Sequence, residues 1–205
     1  TMKTPEKTSL VLEYCNGGTL LDFCRFYKKN ISEFLSINII QKIFKQLFTG
    51  LKYINDNKFI HQDIKMQNIM INFDDYENKY DEKKLFSAEE IYKLFDMERD
   101  NFTIKIIDFG LAKNNLEKEM KMPYDSSVDL WSLGTVLYRL LFGIKPFNGE
   151  NQDDLLNNIY KGFYQIPKNI SLSIESIYLL VGLLQYNCHK RINWNQVFFH
   201  PFLIN

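Results

Sequence analysis

Two short stretches hold side chains able to do chemistry together. Residues 59–68 read FIHQDIKMQN, and residues 106–110 read IIDFG. The first sets a carboxylate, Asp63, a cation two residues on, Lys65, and an amide three beyond that, Asn68, in one polar loop. The second adds a carboxylate, Asp108, straight after an apolar run. Transfer of a phosphoryl group from ATP needs few parts: a carboxylate to orient the acceptor hydroxyl, oxygen ligands to hold a divalent cation on the phosphates, and a cation to offset the charge that develops. Asp63 suits the first role, accepting the hydroxyl proton. Asn68 and Asp108 offer hard oxygens of the kind Mg²⁺ takes, and Lys65 is placed to reach a γ-phosphate. His61 before Asp63 invites a catalytic-dyad reading, but no Ser or Cys nucleophile accompanies it in a recognisable motif.

Regular elements must hold these loops. SLVLEY (residues 9–14) is a short β-type run that stops at the turn Asn16-Gly17-Gly18. Over residues 36–55, Ile40, Ile43, Phe44, Leu47, Leu51 and Ile54 recur at helical spacing, and Asn55-Asp56-Asn57 should end that helix. The polar loop follows, then a strand, NIMINF. Residues 74–102 are strongly charged at first; Ser87 with Glu90 then forms a capping-box pattern before Ile91, Leu94 and Phe95. This stretch reads as an inserted surface segment with one short helix, a solvated excursion, or else a docking element. The strand TIKII leads into Asp108, and DLWSLGTVLYRLLFG is apolar on most faces, as a central helix would be.

Composition narrows the class. The 205 residues suffice for one large domain or two small ones, and 45% hydrophobic content with 17 Phe and 12 Tyr argues for a packed core. Formal net charge is zero, so no global field points to nucleic acid or an anionic membrane. Cys15, Cys24 and Cys188 form no CxxC and favour a reducing compartment, hence a cytoplasmic protein. The apolar stretch 130–143 is too short to span a bilayer and carries Arg139, so no integral membrane segment is expected.

The loop resembles the protein-kinase catalytic loop, HRDxKxxN, and DFG matches the kinase metal motif. Farther on, DLWSLG looks like the kinase central helix, in which Asp129 would brace the catalytic loop's backbone. KPF and the lone Arg in KRI follow in kinase order, so the likeness covers essentially the whole chain. It implies an α+β, protein-kinase-like fold, mainly the helical C-terminal lobe, with the N-terminal lobe largely absent from this chain. It also implies ATP and Mg²⁺, protein substrates and possible regulatory subunits. Lys65 favours Ser/Thr over Tyr specificity. LVLEYCNGG resembles the kinase hinge, with Leu12 as gatekeeper, the backbone of Glu13 and Cys15 pairing with adenine, and Met70 and Ile107 as the pocket's apolar floor. In the same likeness His61 packs beneath Phe109, the Phe of DFG. The expected organisation is one incomplete kinase domain over residues 1–205: hinge at 9–19, C-lobe at 20–205, and a charged insertion at 73–102.

Several features depart from the family pattern. Gln62 replaces the Arg that often pairs with a phosphorylated activation loop, so weak dependence on such phosphorylation is expected. No Gly-rich loop, β3 Lys or helix-C Glu precedes the hinge. No APE motif lies between Asp108 and Asp129, and the activation segment looks spliced out near 117–122, about Met120. Arg191 matches the family Arg that pairs with the Glu of APE, and a buried ion left alone costs about 3–5 kcal/mol. Its presence argues that these residues are the ordered or retained part of a longer protein, inactive on their own; the alternative is a truly truncated, inactive relative. The end segment LLQYNCHKRINWNQVFFHPFL resembles the autophagy-initiating Ser/Thr kinases; calcium- and calmodulin-dependent kinases share many of the same features. The rival from another class is a pseudokinase scaffold. A nucleotide-binding metabolic enzyme lacks its Walker or Rossmann glycine motif.

Overall fold

The computed structural model describes residues 2–3, 8–30, 34–74, 86–114, 126–167 and 170–204. Thr19 opens helix α1 (Leu20–Asn30) with its hydroxyl on Asp22, and α1 buries Leu20, Leu21, Phe23 and Phe26. Helix α2 (Ile37–Asp56) starts where the Ser36 hydroxyl accepts from the Ile39 N–H and buries the stripe its periodicity predicts: Ile40, Ile43, Phe44, Leu47 and Leu51. It stops at Asn57, as the Asn-Asp-Asn run requires.

Among the described residues the strands form only two-stranded antiparallel ribbons. Strand β1 (Met2–Lys3) pairs with β2 (Thr8–Ser9). Strand β3 (Phe59–Ile60) pairs with β6 (Lys113–Asn114), and β4 (Ile69–Phe73) with β5 (Phe102–Ile106). In β4, Ile69, Ile71 and Phe73 are buried while Met70 and Asn72 between them are half-exposed, the alternation of a ribbon with one face on a core. Register in this ribbon matters to the site, because Ile69↔Ile106 sets the end of the polar loop beside the start of DFG.

Helix α4 (Ser127–Phe142) is central: ten of its 16 residues are buried. Gly134 lets α6 (Ile174–Leu183) approach, since a Cβ there would stand 2.8 Å from the Leu183 Cβ. The C-terminus of α4 is closed by Gly143 at φ 67°, whose N–H bonds Arg139 O. Helices α5 (Gln152–Lys161), α7 (Trp194–Phe198) and α8 (Pro201–Ile204) complete the lobe.

Within the 73–102 segment, residues 86–102 pack on the lobe rather than standing in solvent. Its helix, α3 (Ala88–Leu94), does begin with the reciprocal Ser87–Glu90 capping box. Yet Ile91, Tyr92, Phe95 and Met97 are buried, and the Tyr92 ring lies 5.3 Å from both Phe23 and Phe26 of α1. The Tyr92 hydroxyl donates to the Gly17 carbonyl, and burial pushes its pKa up. Charge in the earlier residues obscured the apolar face that follows them. Residues 75–85 lie outside the described residues. Tyr92→Phe keeps the rings and leaves a buried carbonyl without its donor. It is expected to cost about 1–2 kcal/mol of stability, read from the urea midpoint at unchanged slope.

Candidate active site

Asp129, in the first turn of α4, holds the polar loop by its backbone. Its Oδ2 accepts from His61 N–H at 2.8 Å and its Oδ1 from Gln62 N–H at 2.9 Å. The carboxylate is 2% exposed, and burial pushes its pKa above the usual range against the pull of those two donors. Gln62 sits at φ 67°, in the left-handed region that a residue with a Cβ avoids. The clamp therefore holds backbone strain at this turn.

His61 joins the two chemical stretches. Asp63 N–H donates to its Nδ1 at 3.3 Å, which leaves Nε2 as the protonated nitrogen, donating to Ile107 O at 3.0 Å. The ring is fully buried and lies 4.9 Å from that of Phe109. His61 is thus a packed joint between the two stretches.

Around it the candidate residues form one knot. Lys65 Nζ reaches Asp63 Oδ2 at 2.6 Å. Both amide hydrogens of Asn68 are spent on Asp63, on its carbonyl at 2.9 Å and on Oδ2 at 2.8 Å. The Lys65 hydrogen bond, helped by that of Asn68 and by nearby charge, holds the Asp63 carboxyl below the usual range although partial burial opposes it. Asn68 also accepts the Ile107 N–H on its backbone carbonyl at 3.0 Å. Asp108 follows at φ 64°, with Oδ1 accepting from Gly110 N–H at 3.3 Å. Asp63 and Asp108 are each one residue or one hydrogen bond from the His61–Asn68–Ile107 joint. Because Asn68 gives its N–H groups to Asp63, its Oδ1 is the atom left for a cation. Asn68 Oδ1 and the Asp108 carboxylate are both hard oxygens of the kind Mg²⁺ takes.

Glu13 and the turn that follows Cys15 are tied to the same ribbon. Asn16 bonds the Phe73 backbone both ways, to N–H at 2.8 Å and to O at 3.0 Å. Gly17 N–H donates to Ile71 O at 2.9 Å, and a Cβ at Gly17 would press to 2.8 Å on that oxygen. Thr19 bridges Met70, whose ladder partner Lys105 pairs with Glu13 at 3.1 Å. Burial, with the Glu13 charge, raises the pKa of the half-buried Cys15 thiol against Lys105. Met70 and Ile107 are both half-buried. Leu12 is 75% exposed, in an apolar strip with Leu10, Val11 and Tyr14. Asn16 stood in the sequence only as part of the Asn16-Gly17-Gly18 turn signal, and no pattern singled out Tyr92.

Arg191 is held from several sides. It donates to the carbonyls of Ser127 at 2.7 Å, Gln185 at 3.0 Å and Tyr186 at 3.2 Å, and its guanidinium lies 5.1 Å over the Trp131 ring. Among the described residues, these carbonyls and the aromatic face are its partners. The stretch near 117–122 lies outside the described residues.

Residues 1–122 and 116–203 match the family model described as "Protein kinase domain". The chain is 31% identical over 218 residues to calcium-dependent protein kinase 5 of Plasmodium berghei, covering 97% of this chain and 34% of that protein. It is 31% identical over 225 residues to a putative serine/threonine-protein kinase, R517/R518, of Acanthamoeba polyphaga mimivirus, covering all of this chain and 48% of the relative. Serine/threonine-protein kinase ATG1c of Arabidopsis thaliana is 30% identical over 221 residues, 98% of this chain and 26% of that protein. The chain thus spans a quarter to about a half of the length of these relatives.

Proposed function

The chain belongs to the protein kinase domain family, and from that premise we propose that it is the large lobe of an ATP-dependent Ser/Thr protein kinase. The observation that carries this reading is the Asp63–Lys65–Asn68 knot, clamped by Asp129 and joined through His61 and Asn68 to the residue before Asp108. A decayed site would have little reason to keep every member of that network.

The geometry supports the following roles. Asp63 orients the Ser or Thr hydroxyl and takes its proton as the oxygen attacks the γ-phosphorus and the bond to the departing ADP oxygen breaks. Lys65, already on the Asp63 carboxylate, lies where its charge can offset that on the transferred group. Asn68 Oδ1 and the Asp108 carboxylate would hold Mg²⁺, which supplies charge neutralisation of the phosphates. The adenine would rest on Met70 and Ile107, beside the backbone of Glu13 and Cys15, with Leu12 as gatekeeper. The end segment and the likeness to an ATG1-type relative support a place beside the cytoplasmic autophagy-initiating kinases. A calcium-dependent relative matches equally well, so the Ser/Thr class is the firmer part of the proposal.

The test is recovery of labelled γ-phosphate on Ser or Thr of a protein acceptor incubated with the full-length protein. Failure of transfer under all metal and nucleotide conditions would favour the scaffold reading. Gln62, uncharged, gives a phosphorylated activation loop no cation at this position. Phosphatase treatment of the full-length enzyme is therefore expected to change its rate by no more than about twofold, against the far larger changes phosphorylation produces by ordering such loops through Arg. A large loss on treatment would reject the point.

A further inference from the structure

Two elements grip the turn that follows the hinge residues. Gly17 spends its N–H on the Ile71 carbonyl, and Gly18 spends its carbonyl on the Ile71 N–H, both at 2.9 Å. These bonds couple the turn to β4, the strand that carries Met70. The carbonyl of the buried Gly17 still needs a donor, and it comes from the 73–102 segment, as the Tyr92 hydroxyl.

Helix α3 lies along the turn by one face. Ala88 and Tyr92 are four residues apart and so stand on the same side of it. Gly18, at φ 64°, meets both: a Cβ there would stand 3.1 Å from the Ala88 Cβ and 3.3 Å from the Tyr92 hydroxyl oxygen. At the C-terminal cap of α3, Phe95 stacks on Phe73 with ring centroids 4.7 Å apart. Phe73 is the residue whose backbone Asn16 bonds both ways. The turn, β4 and the α3 segment therefore close a triangle, each side touching the other two. Cys15 comes directly before this turn, and Met70 lies in the strand beneath it, bridged to Thr19.

We propose that α3 braces the adenine edge of the site and that Tyr92 is a positioning residue for ATP, acting through the Gly17 carbonyl on the backbone at Cys15. The proposal rests on the kinase reading and goes beyond it. Nucleotide affinity depends on the docking of an inserted segment whose contact residue is 75 positions from the turn in sequence.

The experiment compares the full-length wild type with Tyr92→Phe and Ile91→Val. Both variants are expected to lose stability, but Ile91, fully buried on the same helix, has a hydrocarbon side chain that offers the turn no hydrogen bond. Affinity for Mg²⁺·ADP carrying a fluorescent N-methylanthraniloyl group is read by titration. Steady-state transfer gives the KM for ATP, kcat at saturating ATP and the KM for a Ser peptide. Tyr92→Phe is expected to raise the ADP Kd and the ATP KM by about fivefold, the worth of one buried hydrogen bond. Its kcat at saturating ATP and its peptide KM should stay within about twofold of wild type, the pattern of lost ground-state binding. Ile91→Val should lower the urea midpoint and leave both nucleotide constants in place. Ala88→Leu, which crowds Gly18, should raise them as Tyr92→Phe does, and serves should that variant fold poorly. Unchanged nucleotide affinity in Tyr92→Phe and Ala88→Leu, or an equal loss in Ile91→Val, overturns the brace and leaves the kinase reading intact. A wild type that binds ADP, loses that affinity in Tyr92→Phe and transfers no phosphate keeps the brace and removes the kinase reading. A wild type that binds no ADP overturns both.

Discussion

Asp63→Asn in the full-length protein is expected to lower phosphoryl transfer by about 10²–10⁴-fold, the usual worth of a positioned general base. The amide keeps the shape and can still accept from the Asn68 N–H, but it cannot take the hydroxyl proton or pair with Lys65. Stability should barely move, because the Asp63–Lys65 pair is partly exposed, at 24% and 47%, and such pairs contribute about 0–1 kcal/mol. The pH dependence follows from the sign of the Asp63 shift. Its folded pKa is depressed below the ordinary 3.8, so its small contribution is present above that value and lost as pH falls through the lower folded one. Asp63 is therefore ionised throughout the neutral and mildly acidic range, and an acid limb there has another origin.

Replacing Asp129 should have the second largest effect. Asp129→Ala strips the acceptors from the buried His61 and Gln62 N–H groups, each worth about 1–3 kcal/mol when left unsatisfied. The gain from removing a buried charge offsets part of this, so a net loss of about 2–5 kcal/mol is expected. Transfer should fall by about 100-fold or more even where the chain remains folded, since Gln62 no longer has to hold φ 67° and Asp63 follows it directly. Asp129→Asn keeps one acceptor and should fall between the two. Burial raises the Asp129 carboxyl, so its protonation as pH falls favours the folded state until the unfolded value near 3.8 is passed. Activity should accordingly drop on acidification before stability does. Parallel pH profiles of rate and urea midpoint check this; coincident losses would contradict it.

The parts legible in sequence are those that residue type and spacing encode. The stripe from Ile40 to Leu51 announced α2, the Ser87–Glu90 box announced the start of α3, and the family likeness put Asp129 under the loop and His61 under Phe109. What escaped were partners chosen by tertiary packing. Tyr92 reaches Gly17 across 75 residues, and Asn16 bonds Phe73 across 57; no local pattern records either. The strained φ at Gln62 escaped because the residue type argues against it and only the distant Asp129 carboxylate enforces it. The Ser127, Gln185 and Tyr186 carbonyls that accept from Arg191 likewise had no local signal.

The most direct measurement is single-turnover transfer of labelled γ-phosphate by the full-length protein at saturating ATP and Mg²⁺, for the wild type beside Asp63→Asn, with ATP affinity measured on both. Transfer by the wild type, a fall of at least about 100-fold in the variant, and equal ATP affinity are the predicted result. Equal single-turnover rates in the two proteins would contradict the placement of Asp63 against the incoming hydroxyl, and with it the account of the site.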